Sequence, residues 1–313
     1  ELGVAYLLEG SFQKYSDNVR LIVQLMKTGK EGHVWANEYN EKWQDIFAVQ
    51  SEVARSIAEE IKGAVSPAEK MIIESVPTSD LQAYDFYLRG NDYLHRSYFE
   101  EDFRYATQMF RKAVEIDPNF ALAWVGLATS SRDLYWYTYD RSEENLSLIK
   151  EYLDKALALS PELKEVEIEE ARYYYQCKLN YSKSIELLEK LKTEYPKDDE
   201  IYAWTGYVYR RMGEFRKSLD NINYAISLNP SYWDYWWNGS VTLVILREYT
   251  DAEKYIKKTF DLNPSFTLLY AGLVDLYRNT GQLKKAREFL GANERFIDSR
   301  YVKLLNAVLE FLN

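Results

Sequence analysis

The rhythm of apolar positions changes near residue 63. Before it, residues 7–12, 19–26 and 34–39 alternate or run apolar in short stretches, with Ser16-Asp17-Asn18 and Thr28-Gly29-Lys30 between them as turn sequences. This pattern predicts three strands. Across residues 44–62, Phe47, Val49, Val53, Ile57 and Ile61 recur at three- and four-residue spacing, which predicts an amphipathic helix covering one face of the small sheet. Residues 64–80, with Pro67 and Pro77, read as a linker with room for a short helix over 68–74. From residue 81 onward the periodicity is helical.

Prolines punctuate the helical part. Pro118, Pro161, Pro196, Pro230 and Pro264 are separated by 43, 35, 34 and 34 residues, and four of them follow Asp, Ser or Asn, as helix-stopping turns do. Between Pro196 and Pro230 stand Tyr202, Thr205-Gly206, Tyr209, Ser218, Ile222 and Ala225; the next interval carries Trp236, Gly239-Ser240, Leu243, Ala252, Ile256 and Thr259. This spacing and this alternation of aromatic and small residues resemble the tetratricopeptide repeat, whose small positions let two antiparallel helices approach closely. The resemblance extends upstream through Trp124 and Leu127-Ala128, and through Gly90, Ala106, Phe110 and Ala113. Downstream it takes in Tyr270, Leu273, Tyr277, Gly281 and Ala286. It implies about six helical hairpins over 81–296, with residues 297–313 as a capping helix that has Asp298 and Ser299 available as its N-cap. The fold class expected is therefore mainly α, a right-handed α-solenoid with a small N-terminal α/β segment over 1–63.

The opening segment has its own resemblance. Leu2-Gly3-Val4-Ala5-Tyr6-Leu7-Leu8-Glu9-Gly10-Ser11, Val19-Arg20-Leu21, His33-Val34-Trp35-Ala36 and Asp45-Ile46-Phe47 are similar to the second half of the TolB amino-terminal-like α/β domain. That resemblance implies the company of class III adenylate or guanylate cyclases, winged-helix regulators or protein kinases in bacteria, with any catalysis in a separate upstream domain. It leaves cytoplasmic and extracytoplasmic placement both open. It also implies that the first half of the α/β domain is missing, which leaves an open sheet edge for docking or homodimerisation. The first residue, Glu1, reads as the start of a processed chain or of a piece of a longer one.

Composition narrows the chemistry. Of 313 residues, 49 are acidic and 39 are Lys or Arg, and the resulting charge of −10 repels a phosphate backbone, so no nucleic-acid partner is expected. No apolar run is long enough for a membrane-spanning helix. The single cysteine, Cys177, excludes an internal disulfide and a cysteine-rich zinc site. Only His33 and His95 are present as histidines; the first reads as a strand-start residue and the second as a polar group at a helix end. Phosphate-loop, nucleophile-elbow and His-Glu-x-x-His sequences are absent, so no catalytic residue, metal or cofactor is expected. The acidic run Glu165–Glu170 reads as a solvated helix face.

Binding residues follow from the repeat resemblance, which places positions two, five, nine, twelve and thirteen on the concave side. Counted from Ala121, Lys164, Asp199, Trp233 and Thr267, those positions include Arg132, Arg172, Tyr175, Tyr207, Arg210, Arg211, Trp237, Arg278 and Asn279. Five arginines on one surface favour an acidic or carboxylate-ended protein or peptide. Alternatively, they pair with Asp133, Asp275 or glutamates and hold neighbouring repeats together. Trp237, beside Val241 and Ile245, adds an apolar anchor. Residues 135–139, Tyr-Trp-Tyr-Thr-Tyr, read either as packing against the next repeat or as an exposed platform for a sugar or peptide. The function expected is a non-enzymatic interaction or sensor module of a larger bacterial signalling or regulatory protein. The alternatives are a homo-oligomeric scaffold with a groove filled by its own residues, and a small-molecule sensor using the aromatics.

Overall fold

A computed structural model describes residues 5–29, 32–62, 70, 73, 76–264, 266, 268–297 and 299–311. By compactness the chain divides into two units, Glu1–Leu88 with Lys112–Phe120, and Arg89–Arg111 with Ala121–Asn313.

The first unit holds three antiparallel strands in the order β1 (Tyr6–Tyr15), β2 (Asn18–Lys27) and β3 (His33–Lys42), followed by helix α1 (Ile46–Lys62). Ser16 takes a left-handed conformation, with φ of 55°, in the two-residue turn that sets Tyr15 opposite Asn18. That register fixes which face each side chain occupies. Val19, Val23 and Leu25 point to one side and are buried with Tyr39 of β3 and Ile46 and Val49 of α1. Helix α1 packs on β3 and β2. Leu8 and Phe12 of β1 lie opposite Leu25 and Leu21, hence on the helix side of the sheet, yet remain 52% and 51% exposed. The outer edge of β1 pairs with no strand among the described residues. Phe47 meets Tyr84 edge to face at 4.8 Å, and Gln50 donates to the Tyr84 hydroxyl at 2.9 Å. Most of the stretch read as a linker with a short helix lies outside the described residues.

Six helical hairpins follow. They are α2 (Leu81–Arg96) with α3 (Glu100–Ile116), α4 (Ala121–Trp136) with α5 (Glu143–Leu159), and α6 (Lys164–Gln176) with α7 (Tyr181–Glu194). Then come α8 (Asp199–Arg211) with α9 (Phe215–Leu228), α10 (Trp233–Ile245) with α11 (Tyr249–Leu262), and α12 (Leu268–Asn279) with α13 (Leu283–Asn293). The fold is therefore an α-solenoid of the tetratricopeptide type with a small N-terminal α/β segment.

In the first five hairpins the second helix stops two residues before a proline of the series, which cannot extend the helical hydrogen bonding. The turn inside the hairpins is equally regular. Leu179, Gly213, Arg247 and Gly281, one per repeat at 34-residue intervals, all have φ between 51° and 82°. Glycine adopts that conformation freely, whereas Leu179 and Arg247 hold it against side-chain strain. Caps reinforce several starts: Ser142, Asn180 and Asp198 accept from the backbone N–H three residues on.

Close helix approach comes from missing side chains. The Phe110 ring lies between Gly90 and Gly126, where a Cβ would stand 2.6 Å and 2.5 Å from it. At the far end, helix α14 (Ser299–Phe311) buries Leu305 and Leu309 against the last hairpin and covers its apolar face. The N-cap assigned to Asp298 lies outside the described residues. No helix among the described residues is long and apolar enough to cross a membrane.

Candidate functional site

The first helices of successive hairpins in the second unit line an inner wall, and the side chains there are crowded rather than bare. Arg132 of α4 is 0% exposed and Glu169 of α6 only 1%. The Arg132 Nε donates to Glu169 Oε1 at 2.7 Å, and one terminal nitrogen reaches Asp133 Oδ1 at 2.6 Å and Gln176. Thr129 donates to the other Glu169 oxygen at 2.9 Å. Burial alone would weaken the guanidinium's hold on its proton, but Asp133 and Glu169 outweigh it and raise the affinity. Arg172 lies 3.4 Å from Glu169, with Glu200 and Asp133 at 3.9 and 4.0 Å, and its guanidinium stands 4.3 Å from the Trp204 ring centre.

These distances correct the groove expectation for Arg132 and match the alternative, in which wall arginines pair with neighbouring carboxylates. Arg132 is sealed inside the wall because the next repeat supplies the Glu169 carboxylate and the Gln176 amide oxygen to it. Glu169 corrects a second expectation, since it belongs to the acidic run read as solvated yet is buried between Arg132 and Arg172.

Further along the wall, Arg210 is a staple between repeats: it donates to the Asn238 carbonyl at 2.9 Å, to Asn238 Oδ1 at 2.8 Å and to Thr242 at 3.3 Å. Tyr175 and Tyr207 are buried, the latter donating to Asp234 Oδ2 at 2.8 Å. Trp237 is not an open anchor. Its ring fills the space beside Gly272, where a Cβ would stand 2.8 Å away, and meets Phe266 edge to face at 5.3 Å. Arg278 pairs with Asp275 at 3.1 Å. Together with Asn279, Ala307, Val308 and Phe311 it lines a cavity of about 520 Å³ beside the capping helix.

Arg211 stands apart. It is exposed, with no carboxylate in ion-pair range among the described residues. Its guanidinium stands 5.2 Å from the Trp136 ring centre and its Nε reaches the Tyr175 hydroxyl at 3.4 Å. Trp136, Tyr175 and Tyr181 pack in sequence as tilted rings, at 5.4 and 6.0 Å between ring centres, so the cation sits at the lip of an aromatic ledge. Leu179, 59% exposed, marks the neighbouring turn.

Residues 135–139 pack rather than display. Tyr137 stacks on Phe103 at 5.5 Å with 13° between planes, and Trp136 faces Tyr175, leaving Thr138 and Tyr139 exposed. The wall is also occupied from within the chain. Tyr98, in the turn between α2 and α3, donates to Asp234 Oδ1 at 2.7 Å across 136 residues of sequence. Its ring lies 5.2, 5.9 and 5.7 Å from those of Tyr137, Trp233 and Phe266. Burial raises the proton affinity of Asp234, against the pull of the two phenol donors and Arg210. His95 stands one turn earlier, in the last turn of α2, as its helix-end reading expected. Among the described residues no group of three or more His, Cys, Asp or Glu could hold a metal ion.

Sequence reasoning missed Glu169, Asp234, Trp204 and Tyr98. A signal existed for Glu169 alone, three residues before Arg172 on the same helix face.

Comparison with known proteins agrees with the fold. No family model matches the chain. A stretch of 128 residues, 41% of this chain, is 34% identical to the putative adenylate cyclase 3 of Rhizobium meliloti, and the chain spans 22% of that protein's length. Among solved structures, PilW, a type IV pilus biogenesis factor, aligns with a TM-score of 0.54 at 16% identity over 71% of this chain and 97% of its own. A human IFIT1 dimer with m7Gppp-AAAA aligns with a TM-score of 0.57 at 15% identity, over 77% of this chain and 54% of its own. At these identities the likeness is one of fold, that of stacked helical hairpins.

Proposed function

We propose that this chain of tetratricopeptide fold is a non-enzymatic interaction module of a longer bacterial signalling or transcription-regulatory protein, and that it takes an acidic stretch of a partner protein at the Arg211 ledge. The observation that carries the reading is the contrast among the wall arginines. Arg132, Arg172 and Arg278 each have carboxylates beside them, and Arg210 is held by carbonyl, amide and hydroxyl oxygens. Arg211 keeps an exposed guanidinium beside the Trp136 ring and the Tyr175 hydroxyl, a combination suited to a carboxylate flanked by an apolar side chain. The cavity bounded by Arg278, Asn279, Ala307, Val308 and Phe311 offers a second, largely apolar foothold.

The segment shared with the Rhizobium meliloti cyclase supports a place beside a signalling domain, with any catalysis belonging to other parts of that longer protein. The net charge of −10 weighs against a nucleic-acid ligand such as the one named for the human neighbour. The test is titration of the chain with glutamate-rich and lysine-rich peptides of equal length and aromatic content. Preference for the acidic set that disappears in Arg211→Glu supports the reading; equal binding of both sets defeats it.

A second reading concerns the first unit. The unpaired edge of β1, with Leu8 and Phe12 uncovered beside it, favours pairing with a second copy of the chain. Antiparallel pairing about Gly10 would set each Leu8 against the other copy's Phe12 on the same face. Light scattering of the intact chain and of Phe12→Lys tests this: a dimer that becomes a monomer supports it, and a monomer in both cases removes it.

A further inference from the structure

The turn between α2 and α3 reaches the wall formed by α4, α10 and Phe266 as a ligand would. Tyr98 enters with its ring among Tyr137, Trp233 and Phe266, and its hydroxyl ends on Asp234 Oδ1 while Tyr207 holds Oδ2. One carboxylate thus collects two phenol donors from residues far apart in sequence. The walls select for an aromatic ring, and the carboxylate selects for a ring that carries an O–H, because an unpaired carboxylate oxygen in an aromatic pocket is unfavourable.

The turn is only lightly held outside this pocket. Tyr139 donates to the Tyr98 carbonyl at 2.9 Å, Ser97 bonds to Asp102 within its own hairpin, and the adjacent Phe99 is largely exposed. The Tyr98 side chain is what ties the turn to α10.

We propose that this pocket is a tyrosine-accepting site of the inner wall and that Tyr98 is its built-in, displaceable occupant, an autoinhibitory plug that a partner's tyrosine replaces. The partner half of the inference rests on the interaction-module reading; the pocket and its plug do not. With Tyr98 in place the turn is tied to Asp234 of α10. With Tyr98 withdrawn, the first hairpin is released from α10 and the site accepts a phenol from outside.

The full chain carrying Tyr98→Ala tests the pocket, with 4-methylphenol as probe and toluene as the matched apolar control. The variant should bind 4-methylphenol saturably and at least tenfold more tightly than toluene, while the wild-type chain, already filled, should bind neither. Spin labels at Glu101 and Ser231, both exposed, with Cys177→Ser, read that tie directly. The distance distribution should be narrow in wild type, broader and longer in Tyr98→Ala, and partly restored by 4-methylphenol.

Tyr98→Phe keeps the ring and removes only the O–H, so it remains informative if the alanine variant fails to fold; it should show an intermediate broadening. Wild-type distance distributions in either folded variant, or equal affinity of Tyr98→Ala for 4-methylphenol and toluene, would overturn the proposal. Neither probe is a protein partner, so failure of the interaction-module reading would leave these results standing.

Discussion

Replacing Arg132 by methionine removes the cation from a buried network while nearly conserving its volume. The Arg132–Glu169 contact at 2.7 Å corresponds to roughly 6 kcal/mol of gross attraction at an effective dielectric constant of about 20. Much of that offsets the desolvation of the two groups, so the contact is not worth 6 kcal/mol net. The variant is costly for another reason: Glu169 stays buried, with Thr129 at 2.9 Å and Arg172 at 3.4 Å as its remaining polar neighbours. Leaving a buried charge with part of its compensation gone costs about 3–5 kcal/mol.

Glu169→Met should cost a similar amount by stranding Arg132 beside Asp133. The double replacement, which removes both charges, should cost much less than the sum, with a coupling of about 2–3 kcal/mol. Urea denaturation of the four proteins measures the cycle. Additive single effects, or an Arg132→Met cost below about 1 kcal/mol, would refute the claim that Arg132 is a structural staple.

Three further outcomes are expected. Gly126→Ala drives a Cβ to within 2.5 Å of the Phe110 ring, so overpacking of about 1–3 kcal/mol should outweigh the gain of about 1 kcal/mol in helix propensity; Phe110→Leu in the same chain should recover most of the lost urea midpoint. Arg247→Gly relieves the left-handed strain at φ 62° and should raise stability by about 1 kcal/mol, whereas Gly213→Arg, which introduces the same strain, should lower it; a thermal midpoint series decides. Glu253 is held down to about 2 by its hydrogen bond from Lys257, assisted by those from Lys285 and Tyr277. Because the folded value lies below the unfolded one of about 4.3, its contribution is complete above that pH and is lost as pH falls from about 4.3 to 2. Glu253→Gln should therefore cost about 1 kcal/mol at pH 7, after solvent screening, and flatten the stability profile in that acid window.

The hairpins were legible in the sequence because their signals are local and repeat. A proline two residues past five of the six second helices and glycines at the close approaches are chemistry that a periodic pattern records. The left-handed turn position is half hidden, since Gly213 and Gly281 announce it while Leu179 and Arg247 adopt the same backbone without the sign. The strands were legible because their alternation is also local, whereas the open β1 edge was expected from the family resemblance and not from that pattern.

The wall was legible only as a position within the repeat. That position set Arg132 and Trp237 on the expected concave side. It carried no information on what stands opposite them, which depends on how successive hairpins close. Glu169 was hidden inside a run of acids whose average is a solvated face, although Arg132 and Arg172 bury this one member. Tyr98 was hidden more completely, because its partner Asp234 lies 136 residues away and no local pattern links a turn to a distant helix start.

The most direct test of the interaction reading is selection of random-sequence peptides on the immobilised wild-type chain, followed by titration of the enriched peptides against wild type, Arg211→Glu and Lys155→Glu, the last an exposed residue on a second helix of a hairpin. The account expects enriched sequences rich in Asp and Glu beside an apolar residue, with affinity falling at least tenfold in Arg211→Glu and unchanged in Lys155→Glu. Enrichment without acidic bias, or equal loss in both variants, would contradict it.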